Sequence, residues 1–161
     1  MKGVSDITTT GNRAADSATF RFSKGNPGIA CAYYEFNYDA PLTPESLEGR
    51  KPDKTGIVPQ IQPSLRDRKT HFAMRFDGYI AVAKAGEYKF IMTADDNGRL
   101  YIDNKEVATK HKDGTIQLDA GMHALCVTYG QHAWAFGLKV EWEGPGLSRQ
   151  EIPATVLFHG K

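Results

Sequence analysis

The stretch Tyr88-Lys89-Phe90-Ile91-Met92-Thr93-Ala94-Asp95-Asp96-Asn97-Gly98-Arg99-Leu100-Tyr101-Ile102-Asp103 contains two alternating runs parted by Asp95-Asp96-Asn97-Gly98. Tyr88, Phe90 and Met92 alternate with Lys89, Ile91 and Thr93; Leu100 and Ile102 alternate with Arg99, Tyr101 and Asp103. A period of two is the mark of a strand with one buried face. Asn-Gly between such runs is the strongest short-range signal for a tight turn, so the turn is expected at Asn97-Gly98. The same pattern extends in both directions. Phe72, Met74, Phe76, Ile80 and Val82 share one phase, and Gly78 inside it predicts a long strand bending between two sheets. Turns at Ala85-Gly86, Asp103-Asn104, Lys112-Asp113-Gly114 and Asp119-Ala120-Gly121 separate further strands, and Phe136, Leu138, Val140 and Trp142 alternate again. Closely spaced turns without a convincing helix predict an all-β fold: an antiparallel β-sandwich or barrel with long irregular loops.

Upstream, Gly28–Phe36 predicts a first firm strand, and residues 37–69, rich in proline and polar residues, predict irregular loops with one helical turn at 44–49. Residues 1–25 are expected to be a lead-in or edge segment, with Ala18-Thr19-Phe20-Arg21-Phe22 its one strand-like piece. At 161 residues the chain suits one domain with a substantial core. A net charge of +1, with no basic run of five, argues against a general nucleic-acid binder. No apolar run approaches a membrane span, and the N-terminus lacks the apolar stretch of a secretion signal. The favoured expectation is a piece of a longer chain. Cys31 and Cys126 lie in strand-like apolar context, which favours buried free thiols over one disulfide.

The chemistry centres on Asp95-Asp96. Neighbours in an extended strand point to opposite faces, so both carboxylates reach one point only if the chain turns sharply or the peptide bond between them is cis. Two converging carboxylates repel, and Ca²⁺, which takes six to eight oxygen ligands, would relieve that repulsion. Ordinary turn chemistry is the plainer account of the same residues. An EF-hand does not fit: with Asp95 first, the sixth position is Leu100, where the loop needs glycine. The histidines show no metal-ligand spacing, and no nucleophile elbow, phosphate loop or zinc signature occurs. An intrinsic enzyme is therefore not expected.

Taken in order, Phe76-Asp77-Gly78-Tyr79-Ile80, Gly86-Glu87-Tyr88-Lys89-Phe90, the Asp95–Asp103 stretch, Leu118-Asp119-Ala120-Gly121-Met122-His123 and Leu138-Lys139-Val140-Glu141-Trp142 resemble the PA-14 domain, the protective-antigen-type β-sandwich. Gly28–Tyr34 resembles its opening strand, and Gly144-Pro145-Gly146, Ile152-Pro153-Ala154 and Leu157-Phe158 its closing segment, so that residues 26–161 form the PA-14-like domain. The resemblance implies an Asp-Asp pair, joined by a cis peptide, that holds Ca²⁺ and through it the hydroxyls of a terminal sugar. By position the pair is Asp95 and Asp96. It implies further ligands from the loop at 130–135: a side-chain oxygen of Gln131 and a carbonyl of His132 or Trp134. Adhesin members often carry Asn in this loop, and here there is none. Trp134 would also offer a ring to the sugar, and Arg99 and Tyr101 would rim the site. The implied function is a non-catalytic glycan-binding module of a larger secreted, periplasmic or surface protein, attached to a glycoside hydrolase or adhesin. The alternative is a structural or protein-interaction domain of the same fold without sugar binding.

Overall fold

The computed structural model describes residues 25–37, 44–133 and 137–160. The strand-like piece expected at 18–22, and with it all of the expected lead-in at 1–25 except Gly25, lies outside them. In chain order the elements are β1 (Asn26–Pro27), β2 (Ile29–Glu35), α1 (Pro44–Leu47), β3 (Lys54–Val58), β4 (Phe72–Val82) and β5 (Gly86–Ala94). They continue with β6 (Asn97–Ile102), β7 (Lys105–Thr109), β8 (Gly114–Leu118), β9 (Gly121–Gln131), β10 (Leu138–Gly144), β11 (Leu147–Glu151) and β12 (Leu157–His159). The expected all-β antiparallel sandwich is what forms. The larger sheet runs β1-β12-β4-β9-β6-β7 with β2 and β3 also joined to it through β4; the smaller runs β11-β10-β5-β8.

The alternation read from the sequence is the sandwich's inner surface. Phe72, Met74, Phe76 and Ile80 of β4 and Leu125, Val127 and Tyr129 of β9 meet Phe90 and Met92 of β5 and Val140 and Trp142 of β10 in one core. Trp142, expected in the core, stacks on Tyr88 with ring centroids 5.5 Å apart. The spine is β4 against β9, in unbroken register from Phe72↔Gln131 to Val82↔Gly121.

β4 does not bend between sheets as Gly78 led us to expect. It stays in the larger sheet and changes partner: β2 pairs with it up to Asp77, and β12 takes over from Tyr79. At the hand-over Phe158 of β12 and Ile29 of β2 crowd Gly78, where a Cβ would lie 2.3 Å from the Phe158 carbonyl oxygen. The glycine serves close approach, not curvature.

The loop region 37–69 holds more than expected. α1 supplies Leu47 to a small outer cluster with Tyr34, Phe36 and Ala73, and β3 adds an edge strand to β2, from Ile29↔Val58 to Tyr33↔Lys54. The two cysteines are free. Cys31 lies in the core, whereas Cys126, next to inward-facing Val127, points to the opposite face of the same sheet. Burial first, with the Asp77 charge adding to it, pushes both thiols up to about 12. Among the described residues no helix is long and apolar enough to cross a membrane.

Candidate functional site

Ala94 is the last residue of β5 to pair in the smaller sheet, opposite Leu138, and Asn97 already pairs in the larger sheet, opposite Gly130. Asp95 and Asp96 are therefore the whole crossover between sheets. Packed sheets lie about 10 Å apart, which three Cα–Cα steps just span. That geometry corrects the expected turn at Asn97-Gly98: the bend falls on the aspartates, and Asn97-Gly98 opens β6. Gly98 is buried, and a Cβ there would sit 2.7 Å from Met92 Sδ and 2.8 Å from Ala94 Cβ.

The crossover aims both carboxylates at the end of β9 and the residues after it. Gln131 Nε2 donates to Asp95 Oδ2 at 3.0 Å. The backbone N–H groups of His132 and Ala133 donate to Asp96 Oδ2 at 2.6 and 3.3 Å. Convergence comes from the bend, since no cis peptide bond occurs among the described residues. The cis linkage expected from the resemblance is thus replaced by a trans bond. A direction change between two sheets already turns consecutive side chains onto one loop.

Behind the carboxylates lies a short buried chain of hydrogen bonds. Gln131 is fully buried. Its Oε1 accepts from the Tyr129 hydroxyl at 2.9 Å, and its Nε2 donates also to the Ala133 carbonyl at 2.8 Å. The Tyr129 hydroxyl in turn accepts from Gly137 N–H at 3.1 Å. Burial, joined by the charges of Asp95 and Asp96, pushes this phenol up to about 12 against the opposing Gly137 hydrogen bond. It remains a neutral donor at physiological pH. The Asp95 backbone is held as well: its N–H donates to Gly137 O at 3.2 Å, and the Lys110 ammonium donates to its carbonyl.

The expected site residues are only partly brought together. Asp95, Asp96, Gln131 and His132 meet. Gln131 presents its amide nitrogen to Asp95 while its oxygen faces Tyr129, an orientation assigned from the hydrogen bonds. The His132 carbonyl accepts from His71 N–H at 3.1 Å. Trp134 lies outside the described residues. Arg99 and Tyr101 are not at the crossover. Arg99 pairs with Glu106 at 3.0 Å across the β6–β7 hairpin, and Tyr101 lines a depression farther along the outer sheet face. Sequence reasoning missed Tyr129 and Lys110. Tyr129 keeps the core phase of β9 and looks like any buried aromatic, and Lys110 reaches Asp95 only through the packing of the 109–112 turn against Gly98.

Among the described residues no group of three or more His, Cys, Asp or Glu side chains gathers around one point. The chemistry of the aspartate pair nevertheless fits a hard cation. Neither carboxylate forms an ion pair among the described residues, and their hydrogen bonds there all run to Oδ2, leaving Oδ1 of each uncommitted. Two adjacent like charges with spare oxygens are a donor set for Ca²⁺.

The PA14 domain family matches residues 25–155, and the chain belongs to that family. Among solved structures it is similar to a PA14 sugar-binding domain from an RTX adhesin: 16% identity, TM-score 0.62, covering 83% of this chain and 99% of that one. It is also similar to the epithelial adhesin 9 A domain from Candida glabrata in complex with Galβ1-4GlcNAc: 12% identity, TM-score 0.65, covering 84% and 90%. A third is an anti-sigma factor domain-containing protein from Clostridium clariflavum: 24% identity, TM-score 0.67, covering 93% of this chain. The chain spans about half the length of that protein, 53% of it. At these identities the likeness is one of fold. A search of curated proteins found no match.

Proposed function

We propose that this chain is a non-catalytic, calcium-assisted carbohydrate-binding module of a larger secreted, periplasmic or surface protein, such as a glycoside hydrolase or an adhesin. The observation that carries the reading is the convergence of Asp95 and Asp96 on residues 131–133, each with one oxygen anchored and one spare. The sugar-binding and glycan-complexed adhesin domains that share the fold support it. A bound Ca²⁺ would supply open coordination positions for two vicinal sugar hydroxyls. The chain's own part is orientation. Asp95 Oδ1 and Asp96 Oδ1 accept from the same hydroxyls, and the Tyr129–Gln131 chain and the His132 and Ala133 N–H groups hold the two side chains in place. Trp134, by its position in the same loop, is the proposed stacking partner.

One observation favours the structural alternative. The polar groups facing the aspartates are N–H donors, so the pair already serves as a cap for the loop after β9. Isothermal titration separates the two readings. CaCl2 is added first, then lactose and a set of monosaccharides. The module is expected to bind both, and Asp95→Ala and Asp96→Ala are expected to abolish the calcium response and the calcium-dependent sugar response with the far-UV circular dichroism unchanged. A calcium-dependent sugar response that survives either substitution overturns the reading. No response to either addition leaves the structural role. Chromogenic glycosides are expected to stay intact.

A further inference from the structure

The outer face of the larger sheet, away from the core, carries a trough of about 670 Å³. Its shape follows from the register. Ala30, Asp77, Cys126 and Tyr101 form one row across β2, β4, β9 and β6, and Tyr79 and Ala124 lie in the next row. Small side chains at Ala30, Ala124 and Cys126 leave a floor, and Tyr79 and Tyr101 stand on either side. Two strand spacings and one repeat along the strands put the two tyrosine Cα atoms roughly 12 Å apart. Ile57 and Tyr79, 51% and 41% exposed, are the large exposed hydrophobics among the described residues, and both line this trough. At its polar end Arg75 Nε and Nη2 donate to Asp77 Oδ2 and Oδ1 at 2.8 and 3.2 Å. Both side chains stay partly exposed, 32% and 48%.

We infer that this trough is a second, cation-independent saccharide site, built for a neutral oligosaccharide chain. Its charges cancel within the Arg75–Asp77 pair, so it offers no net attraction to an ion. The bidentate pair leaves further guanidinium donors and carboxylate lone pairs, which suit vicinal hydroxyls that each donate and accept. A half-exposed tyrosine ring matches the apolar face of a pyranose while its hydroxyl stays wet. The volume lies within the roughly 300–1,000 Å³ of small-ligand sites. A protein partner would need about 800 Å² on each side, and two exposed apolar side chains do not make such a face. The site lies about 17 Å along β9 from Gln131, five residues on, and does not rest on the aspartate reading.

The test is an amide NMR titration of the ¹⁵N-labelled chain in excess EDTA, which silences any cation-dependent site. The probes are cellotetraose, xylotetraose, laminaritetraose and lactose. At least one sugar is expected to shift the amides of residues 77–79, 101–104 and 124–126 together. Its affinity is expected to fall about tenfold or more in Tyr79→Ala, where loss of an exposed ring leaves the fold intact, and in Asp77→Asn. No shift at those amides with any of the four sugars overturns the inference, as does binding unchanged in Tyr79→Ala. Concentration-dependent shifts at the same amides without sugar would identify a self-association face and overturn it too. Because calcium is absent throughout, this outcome is independent of whether Asp95 and Asp96 bind.

Discussion

Gln131 and Thr128, three residues apart on β9, are the buried polar side chains among the described residues, at 0% and 1% exposure. Gln131 has partners on every side, Tyr129, Asp95 and Ala133, and so costs the fold little. Thr128 lies in register with Arg75 and Arg99 on the outer face, and its hydroxyl has no hydrogen-bond partner among the described residues. A buried hydroxyl left unpaired carries a desolvation penalty of about 1–3 kcal/mol. Thr128→Val keeps the branched shape that a strand favours and removes that penalty. It is expected to stabilise the protein by about 1 kcal/mol, read as a higher urea midpoint at unchanged slope. A lower midpoint would mean that the hydroxyl has a partner after all. The sequence pointed to Asp95 and Asp96 because adjacent acids are visible in one dimension. Tyr129 was not legible as a site residue, since its phase says core and only its hydroxyl reaches the site.

At the level of elements, the long strands were legible because each buries one whole face. Along β4, β5, β9 and β10 the inward residues alternate as the sequence reads. β3 was not. Only Val58 of its five residues is buried, and backbone pairing with β2 holds it, which leaves no mark in hydropathy. The Asn97-Gly98 pair misled for a related reason: a glycine needed for close approach spells the same as one needed for a turn. Gly98→Ala separates the two roles. A turn glycine with negative φ would tolerate alanine, but here a Cβ meets Met92 and Ala94 below 3 Å. Overpacking of this kind costs about 1–3 kcal/mol, and a fall in the urea midpoint of that order is expected. The hairpin ends carry a pH-sensitive clasp. His123 Nδ1 lies 2.7 Å from Asp103 Oδ2, and Nε2 lies 2.7 Å from the Asp119 carbonyl, tying the β6–β7 turn to the β8–β9 turn. Burial lowers the basicity of this imidazole, but the Asp103 and Asp119 hydrogen bonds outweigh it, and the net shift is upward. A raised folded value contributes stability that is complete below the ordinary histidine value of about 6.5 and is lost as pH climbs through the folded one. The unfolding midpoint is therefore expected to fall as pH rises above the ordinary histidine value and through the raised folded one, and His123→Gln is expected to flatten that slope.

For the whole molecule, the informative fact is that the aspartate pair is also a link between the two sheets. Anything that binds there binds the folded sandwich and not the open chain, so it must raise the melting temperature by mass action. Without a cation the same pair places two like charges side by side, a repulsion worth roughly 0.5 kcal/mol at an exposed position. Asp95→Asn sets these two effects against each other. The amide oxygen can still accept from Gln131 Nε2, so the anchoring contact is kept. In chelator the variant is expected to melt at the wild-type temperature or about 1–2 °C above it, because one of two repelling charges is gone. In millimolar calcium the order is expected to reverse, with the wild type gaining stability and the variant gaining little. The crossing of the two melting curves as calcium is added is the signature, measured by calorimetry at low and moderate ionic strength. A turn whose acids only cap the following loop would give parallel curves instead. In that case the pair is architectural, and the cation-dependent reading fails while the sandwich it joins stands unchanged.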